Sequence, residues 1–131
     1  MLMATDLLAM LHRLELTPTA INVLSVMVAQ QQPGGAVPLR QAEIADLLNV
    51  DQAVVSRAMA LLVRRGIVQR SGAGRGHRYA LNPAIAGYES EHEMSTELTK
   101  VLAAGGPPPI QVPQYRRRPP RAGKGRLQSV A

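Results

Sequence analysis

The chain has 131 residues, a formal net charge of +6 and no cysteine, and its 13 arginines far outnumber its 2 lysines. This length fits one domain with little left for a second core. The absence of cysteine excludes a disulfide framework and any thiolate metal site, and it is consistent with a reducing cytoplasm. With three tyrosines and no Phe or Trp, the core must be aliphatic, which argues against an aromatic platform for single-stranded nucleic acid.

Charge is segregated along the sequence. Residues 1–51 and 79–104 each carry a net charge of −3, whereas residues 52–78 and 105–131 each carry +6 and no acidic side chain. Such segregation predicts a one-sided field that attracts a polyanion. Because no signal peptide and no stretch of about 18 apolar residues is apparent, we expect a cytoplasmic protein that does not contact a membrane.

The N-terminal part predicts two helices and a short strand. Met3–Arg13 is amphipathic, with leucines at helical spacing. The next helix begins after Thr17, which can cap it, and the following proline suits a first helical position. This helix extends to about Gln32 and ends at a Pro-Gly-Gly loop. Residues 37–39 then predict a short edge strand.

A helix-turn-helix is predicted next. Gln41–Leu48 forms its first helix, and Asp51 caps a second helix that reaches Arg65 and stops at a glycine. Ala45 is the small residue needed where the two backbones meet, and Asn49 tolerates the positive φ of the turn. Apolar contacts between the helices are expected from Ile44, Leu48, Val50, Val55 and Ala58.

The remainder predicts a hairpin, a helix and a tail. Ile67–Ser71 and His77–Leu81 are short strands joined by a flexible glycine-rich tip. A weaker pattern predicts a helix over Ala84–Ala103. The Pro-, Gly- and Arg-rich residues Gly105–Ala131 cannot bury enough apolar surface to order, so we predict a folded domain over residues 1–104 and a disordered basic tail over 105–131.

The second helix of the helix-turn-helix has one apolar and one polar face. Val55, Ala58 and Leu62 recur at helical spacing and predict the buried side. The opposite face is predicted to enter the major groove of DNA, because alanines allow close approach and Gln, Ser and Arg hydrogen-bond bases or phosphates. Its residues are Gln52, Ala53, Ser56, Arg57, Ala60 and Arg64. The alternative is a merely solvated polar face.

Two further basic sets are candidate DNA contacts. Arg75, His77 and Arg78 lie at or beside the hairpin tip, where they can reach the minor groove or phosphates. The tail cations are expected to add nonspecific affinity for phosphates, although a solubilising role is the alternative. They are Arg116, Arg117, Arg118, Arg121, Lys124 and Arg126.

Residues 39–83 resemble the winged helix of MarR-like regulators and of RepL-type plasmid replication proteins. The similarity lies in Val55-Ser56-Arg57, in Arg65-Gly66-Ile67-Val68 and in Tyr79-Ala80-Leu81-Asn82-Pro83. It implies a mainly α protein with a small β-hairpin, in which a three-helix core and a wing are flanked by extra N- and C-terminal helices. It also implies sequence-specific binding of double-stranded DNA by a nucleoid-associated homodimer that regulates transcription through an interface of its first and last helices.

Other functions are weighed against this interpretation. A plasmid or phage replication or maintenance protein at an origin is the first alternative, and a winged-helix protein-interaction module is the second. An enzyme is not expected, and neither is a cofactor, because Gly72–Gly76 links two strands rather than opening a helix as a phosphate loop does. Glu89 and His92 alone do not form a metal site. An effector ligand is left open.

Overall fold

The computed structural model describes residues 2–3, 6–72, 78–106 and 109–113. In chain order the elements are β1 (Leu2–Met3), α1 (Asp6–Met10, followed by a 3₁₀ turn at Leu11–Arg13), α2 (Pro18–Gln30), β2 (Ala36–Val37), α3 (Gln41–Leu48), α4 (Gln52–Arg64), β3 (Val68–Ser71), β4 (Arg78–Leu81), β5 (Gly87–Tyr88) and α5 (Glu91–Ala103).

The centre of the fold is the packing of α2 and α3 against α4. Each helix contributes its apolar stripe, and the buried side chains are almost all aliphatic. Thr17 caps α2 as predicted, because its hydroxyl oxygen accepts a hydrogen bond from the Ala20 amide at 3.1 Å. The largest side chains with almost no exposure include Leu14, Met27, Ile44, Met59, Leu62 and Tyr88.

The turn between α3 and α4 is confirmed in its position and its chemistry. Asn49 has a φ of +55° and a ψ of +49°, the left-handed conformation predicted for it. The Val50 amide donates to the Ala45 carbonyl at 3.0 Å, and the Asn49 amide donates to the Asp46 carbonyl at 3.2 Å. This pair of bonds is a Schellman motif, which satisfies the last carbonyls of α3 and redirects the chain into α4.

A three-stranded antiparallel sheet completes the winged helix-turn-helix. Its strand order is β2-β4-β3, and β3 and β4 form the hairpin that is the wing. Val68 lies opposite Leu81, and both side chains are buried against the helices. The small sheet therefore packs one face on the helical core and leaves the wing projecting from it.

The end of the wing is tied back to the end of α4 by a buried asparagine. The side-chain amide of Asn82 donates to the Gly66 carbonyl at 2.9 Å, and its side-chain oxygen accepts from the Ala84 amide at 2.9 Å. Its backbone amide donates to the Ile67 carbonyl. Asn82 thus holds the end of β4 next to the residues that lead from α4 into β3.

The predicted boundaries of the first and last helices are wrong. α5 begins at Glu91 rather than Ala84, because residues 82–86 form a turn and Gly87–Tyr88 pairs with Leu2–Met3 as an antiparallel strand. The Ser90 hydroxyl oxygen then caps α5 by accepting from the Glu93 amide. At the other end, α1 begins at Asp6 and tightens into a 3₁₀ turn after Met10, so residue 3 belongs to a strand instead.

Residues 109–113, called the strap from here on, return from α5 to the end of α4. The Gln111 amide donates to the Arg65 carbonyl at 2.7 Å, and Ile110 packs against the core. Gly66 lies beneath the strap with a φ of +77°. The sequence predicts disorder from Gly105 onward, whereas Gly105 and Gly106 hydrogen-bond to the end of α5 and the strap contacts the fold through residues 109–111; residues 107–108 and 114–131 lie outside the described residues. In the part of the chain that the structure describes, no helix is long and apolar enough to cross a membrane.

Candidate DNA interface

The outer face of α4 is exposed along its whole length. All six residues predicted to face the groove have exposed side chains: Gln52, Ala53, Ser56, Arg57, Ala60 and Arg64. The inner face of the same helix is buried, since Val55, Ala58 and Leu62 pack into the core. The helix is therefore held from behind and its polar face is presented outward. Contact of these residues with DNA stays a prediction.

The positive charge on this face is not neutralised by the protein. Within the described ranges, the only side-chain ion pair joins Lys100 and Glu97 on α5, at 3.4 Å. Arg57 and Arg64 therefore have no carboxylate partner there, and no acidic residue occurs between Gln52 and Arg78 in the sequence. An exposed and unneutralised guanidinium is suited to bind a phosphate or the edge of a guanine.

The start of α4 differs from the sequence expectation. Asp51 occupies the position before the first helical residue, with a φ of −70° and a ψ of 147°, but its carboxylate accepts no capping hydrogen bond. Its backbone carbonyl instead accepts from the Val54 amide at 3.0 Å. The helix begins where predicted, yet the predicted side-chain cap is absent.

Arg78 and Arg70 lie on opposite faces of the wing. Arg78 is opposite Ser71 in the β3–β4 register, whereas Arg70 is opposite Tyr79, whose ring is buried against the core. Since paired residues of a ladder project on the same side, Arg78 points away from the face that carries Tyr79 and Arg70 shares it. Both are exposed. Arg70 was not among the predicted residues, because alternation along β3 places it on the same face as the buried Val68.

The remaining predicted cations of the wing and tail lie outside the described residues. These are Arg75, His77, Arg116, Arg117, Arg118, Arg121, Lys124 and Arg126. Their contact with DNA stays a prediction.

Two polar side chains near the interface hold elements in place. The Arg65 guanidinium donates through Nε to the Leu14 carbonyl at 2.9 Å, so this arginine joins the end of α4 to the segment before α2. The Gln41 side-chain amide donates to the Tyr79 hydroxyl oxygen at 2.8 Å, which joins the first residue of α3 to the central strand. The Gln41–Tyr79 bond therefore joins the helix-turn-helix to the wing, and the Arg65–Leu14 bond joins it to the segment before α2. Neither contact was predicted, because each pairs residues more than 35 positions apart.

Groups that could hold a metal are absent from the described part of the chain, where no three His, Asp or Glu side chains cluster. His92 is exposed on the first turn of α5. Nothing in this region therefore offers the ligand set of a metal centre.

The profile of the MarR family matches residues 14–78, a span that contains α2, α3, α4 and most of the wing. Among curated proteins, none matches the sequence. A solved structure of S. aureus MepR in complex with DNA is similar over 74% of this chain and 80% of that chain, with 18% sequence identity and a TM-score of 0.43.

Proposed function

We propose, from the match of residues 14–78 to the profile of the MarR family, that the protein binds double-stranded DNA sequence-specifically and regulates transcription. α4 lies in the major groove with its outer face toward the bases. The wing lies over the flanking backbone, where Arg70 and Arg78 neutralise phosphates.

The outer face of α4 is the observation that carries this proposal. Arg57 lies at the centre of the face, one helical turn after Ala53 and one before Ala60, so small side chains flank the guanidinium on both sides. Such an arrangement lets the helix backbone approach base edges while Arg57 reaches guanine O6 and N7. Gln52 and Ser56, at the N-terminal end, provide neutral donors and acceptors for adjacent bases or phosphates.

We also propose a homodimer that buries α1 and α5. Leu8 is 80% exposed on α1 and Leu102 is 68% exposed on α5, the two largest exposed fractions among the large apolar side chains of the described residues. α5 carries no buried residue, although Met94 packs partly against the core. Two copies that share these helices cover both leucines and place two copies of α4 on one duplex.

The basic tail is proposed to add affinity that does not depend on base sequence. It carries six cations and no acid, and each phosphate that it neutralises adds about −0.9 to the slope of log affinity against log salt. A chain ending at residue 113 keeps the strap and removes every tail cation. That chain should bind all sequences more weakly by the same factor, and selective loss of one site would contradict this role.

Selection of bound duplexes from a random pool, followed by a salt titration, tests the main proposal. We expect one enriched motif and an affinity that falls steeply as salt rises. A chain that ignores duplexes even in dilute buffer is instead a protein-interaction module. Mapping the enriched motif in the source genome then separates promoters from the repeated sites of a replication origin.

A further inference from the structure

Exposed apolar groups lie in the turn before α4 and at the start of the outer face of that helix. Of the six large apolar side chains that are exposed in the described part, Val50 is the one in the turn that leads into α4, and it is 37% exposed. Ala53, three residues after Val50, is exposed on the outer face. Val50 closes the Schellman motif through its backbone amide, whereas its side chain, which the sequence predicts to pack between α3 and α4, is exposed and not among those that pack against the core.

On this basis, and resting on the proposed function, we propose that Val50 and Ala53 contact the 5-methyl group of a thymine in the major groove. The major-groove edges of the four base pairs present hydrogen-bond donors and acceptors and one apolar group, the thymine methyl. Exposed apolar side chains at the start of a helix that enters this groove therefore have one chemical partner there. The protein thus reads thymine by burial of a methyl group.

The position of that thymine follows from the helix geometry. Ala53 and Arg57 are four residues apart on one face, so they are separated by about 6 Å along the helix axis. Base pairs stack about 3.4 Å apart. The thymine methyl lies within about two base pairs of the guanine that Arg57 contacts, on the side toward the start of α4.

Uracil substitution tests this contact because it removes the methyl group and leaves every hydrogen-bonding atom in place. Each thymine of the selected duplex is replaced singly by uracil, and binding to the full chain is measured by fluorescence anisotropy. Replacement at one position near the guanine read by Arg57 should lower affinity about fourfold, the factor expected for exposing one buried methyl group. Replacement elsewhere in the site should have no effect.

Two variants test whether the side chains of residues 50 and 53 cause the loss of affinity on uracil substitution. Ala53→Gly removes the methyl group of residue 53, and Val50→Ser removes both methyl groups of residue 50. In at least one of them the thymine-to-uracil factor should fall to about one. Because the two duplexes are compared within one variant, any loss of helix stability cancels. Ala29→Gly, at an exposed position near the end of α2, is the matched control and should keep the full factor.

The outcomes separate this inference from the proposed function. A duplex that depends on Arg57 but tolerates uracil at every thymine overturns the methyl contact and leaves DNA binding intact. Uracil sensitivity that persists in both Ala53→Gly and Val50→Ser overturns the assignment of these residues, as does a selected site without thymine near the guanine. A chain that selects no duplex overturns both proposals.

Discussion

The side-chain amide of Gln41 donates a 2.8 Å hydrogen bond to the hydroxyl oxygen of Tyr79, across 38 positions of sequence. The bond connects the first residue of α3 with the strand at the centre of the sheet. Both groups lie at the junction between the helix-turn-helix and the wing, so the bond sets the orientation of one relative to the other. Loss of this bond should lower the free energy of unfolding without changing the secondary structure.

Tyr79→Phe is expected to lower the free energy of unfolding by about 0.5–1 kcal/mol, the lower part of the range for such bonds, because the half-buried Gln41 amide can rebind water. Urea unfolding measures the change. In the double variant with Gln41→Ala the two losses should not add, because both remove the same bond. Full additivity would show that the bond does not contribute.

Arg57→Ala should cost about 1–3 kcal/mol of discrimination between the selected duplex and a scrambled one, because it removes a bidentate contact with guanine. Arg13→Ala, at an exposed position on the 3₁₀ turn before α2, is the matched control. It should leave the ratio of the two affinities unchanged. Competition binding at constant salt gives both ratios. If Arg57→Ala weakens binding to both duplexes equally, this arginine contacts a phosphate and not a base.

Gly66→Ala is expected to destabilise the fold more than Gly34→Ala does. Both glycines have positive φ, +77° and +95°, so both substitutions incur a similar backbone strain, of about 1 kcal/mol. At Gly34 an added Cβ meets nothing within 4 Å, whereas at Gly66 it comes 2.5 Å from the Pro109 carbonyl oxygen. The difference in urea midpoint between the two variants measures the contact with the strap. Equal midpoints would mean that the strap does not lie over Gly66 in solution.

The pKa of Tyr88 is raised by burial and by the nearby carboxylates of Glu97 and Glu93. The folded state therefore holds the proton more tightly than the unfolded state, so stability is intact below about pH 10 and falls as pH rises through the raised pKa. Tyr88→Phe removes this dependence, but it loses the 2.7 Å hydrogen bond from the hydroxyl to the Pro83 carbonyl. Urea unfolding at pH 8 should show that wild type is more stable than Tyr88→Phe. At pH 11 the gap between their free energies of unfolding should be smaller. A gap that widens would contradict the direction of the shift.

Leu102→Gln should weaken the proposed dimer at least tenfold, because burial of one leucine contributes about 1.5–3 kcal/mol and a symmetric interface buries two copies. Sedimentation equilibrium gives the dissociation constant. Val112→Gln removes an exposed apolar group that lies on the strap and on neither α1 nor α5, and should leave the dimer intact. Should both variants behave like wild type, α5 is not the interface.

The local parts of the fold were predictable because short-range chemistry determines them. The bounds of α3, the left-handed Asn49 and the buried face of α4 all follow from the identity and spacing of neighbouring residues. The start of α5 was not, because Gly87–Tyr88 becomes a strand only by pairing with residues 2–3 at the other end of the chain. A pattern of apolar residues within one segment contains no information on such a partner.

The candidate site shows the same division. Exposure of Arg57 and Ser56 follows from helical periodicity, and the sequence placed both correctly on the outer face. The tether between Arg65 and Leu14 depends on where α4 ends in space, which no spacing rule reveals. Arg70 was not predicted for the same reason, because its place on the wing depends on the register between β3 and β4.

The hydrogen bond from the Gln111 amide to the Arg65 carbonyl joins the segment after α5 to the end of α4, and we expect the two to unfold together. The Gln111 amide should then exchange with solvent deuterium as slowly as amides at the end of α4, although 46 positions separate these two residues in the chain. A shortened protein that ends at Gly105 would lack this hydrogen bond, whereas one that ends after Pro113 would keep it.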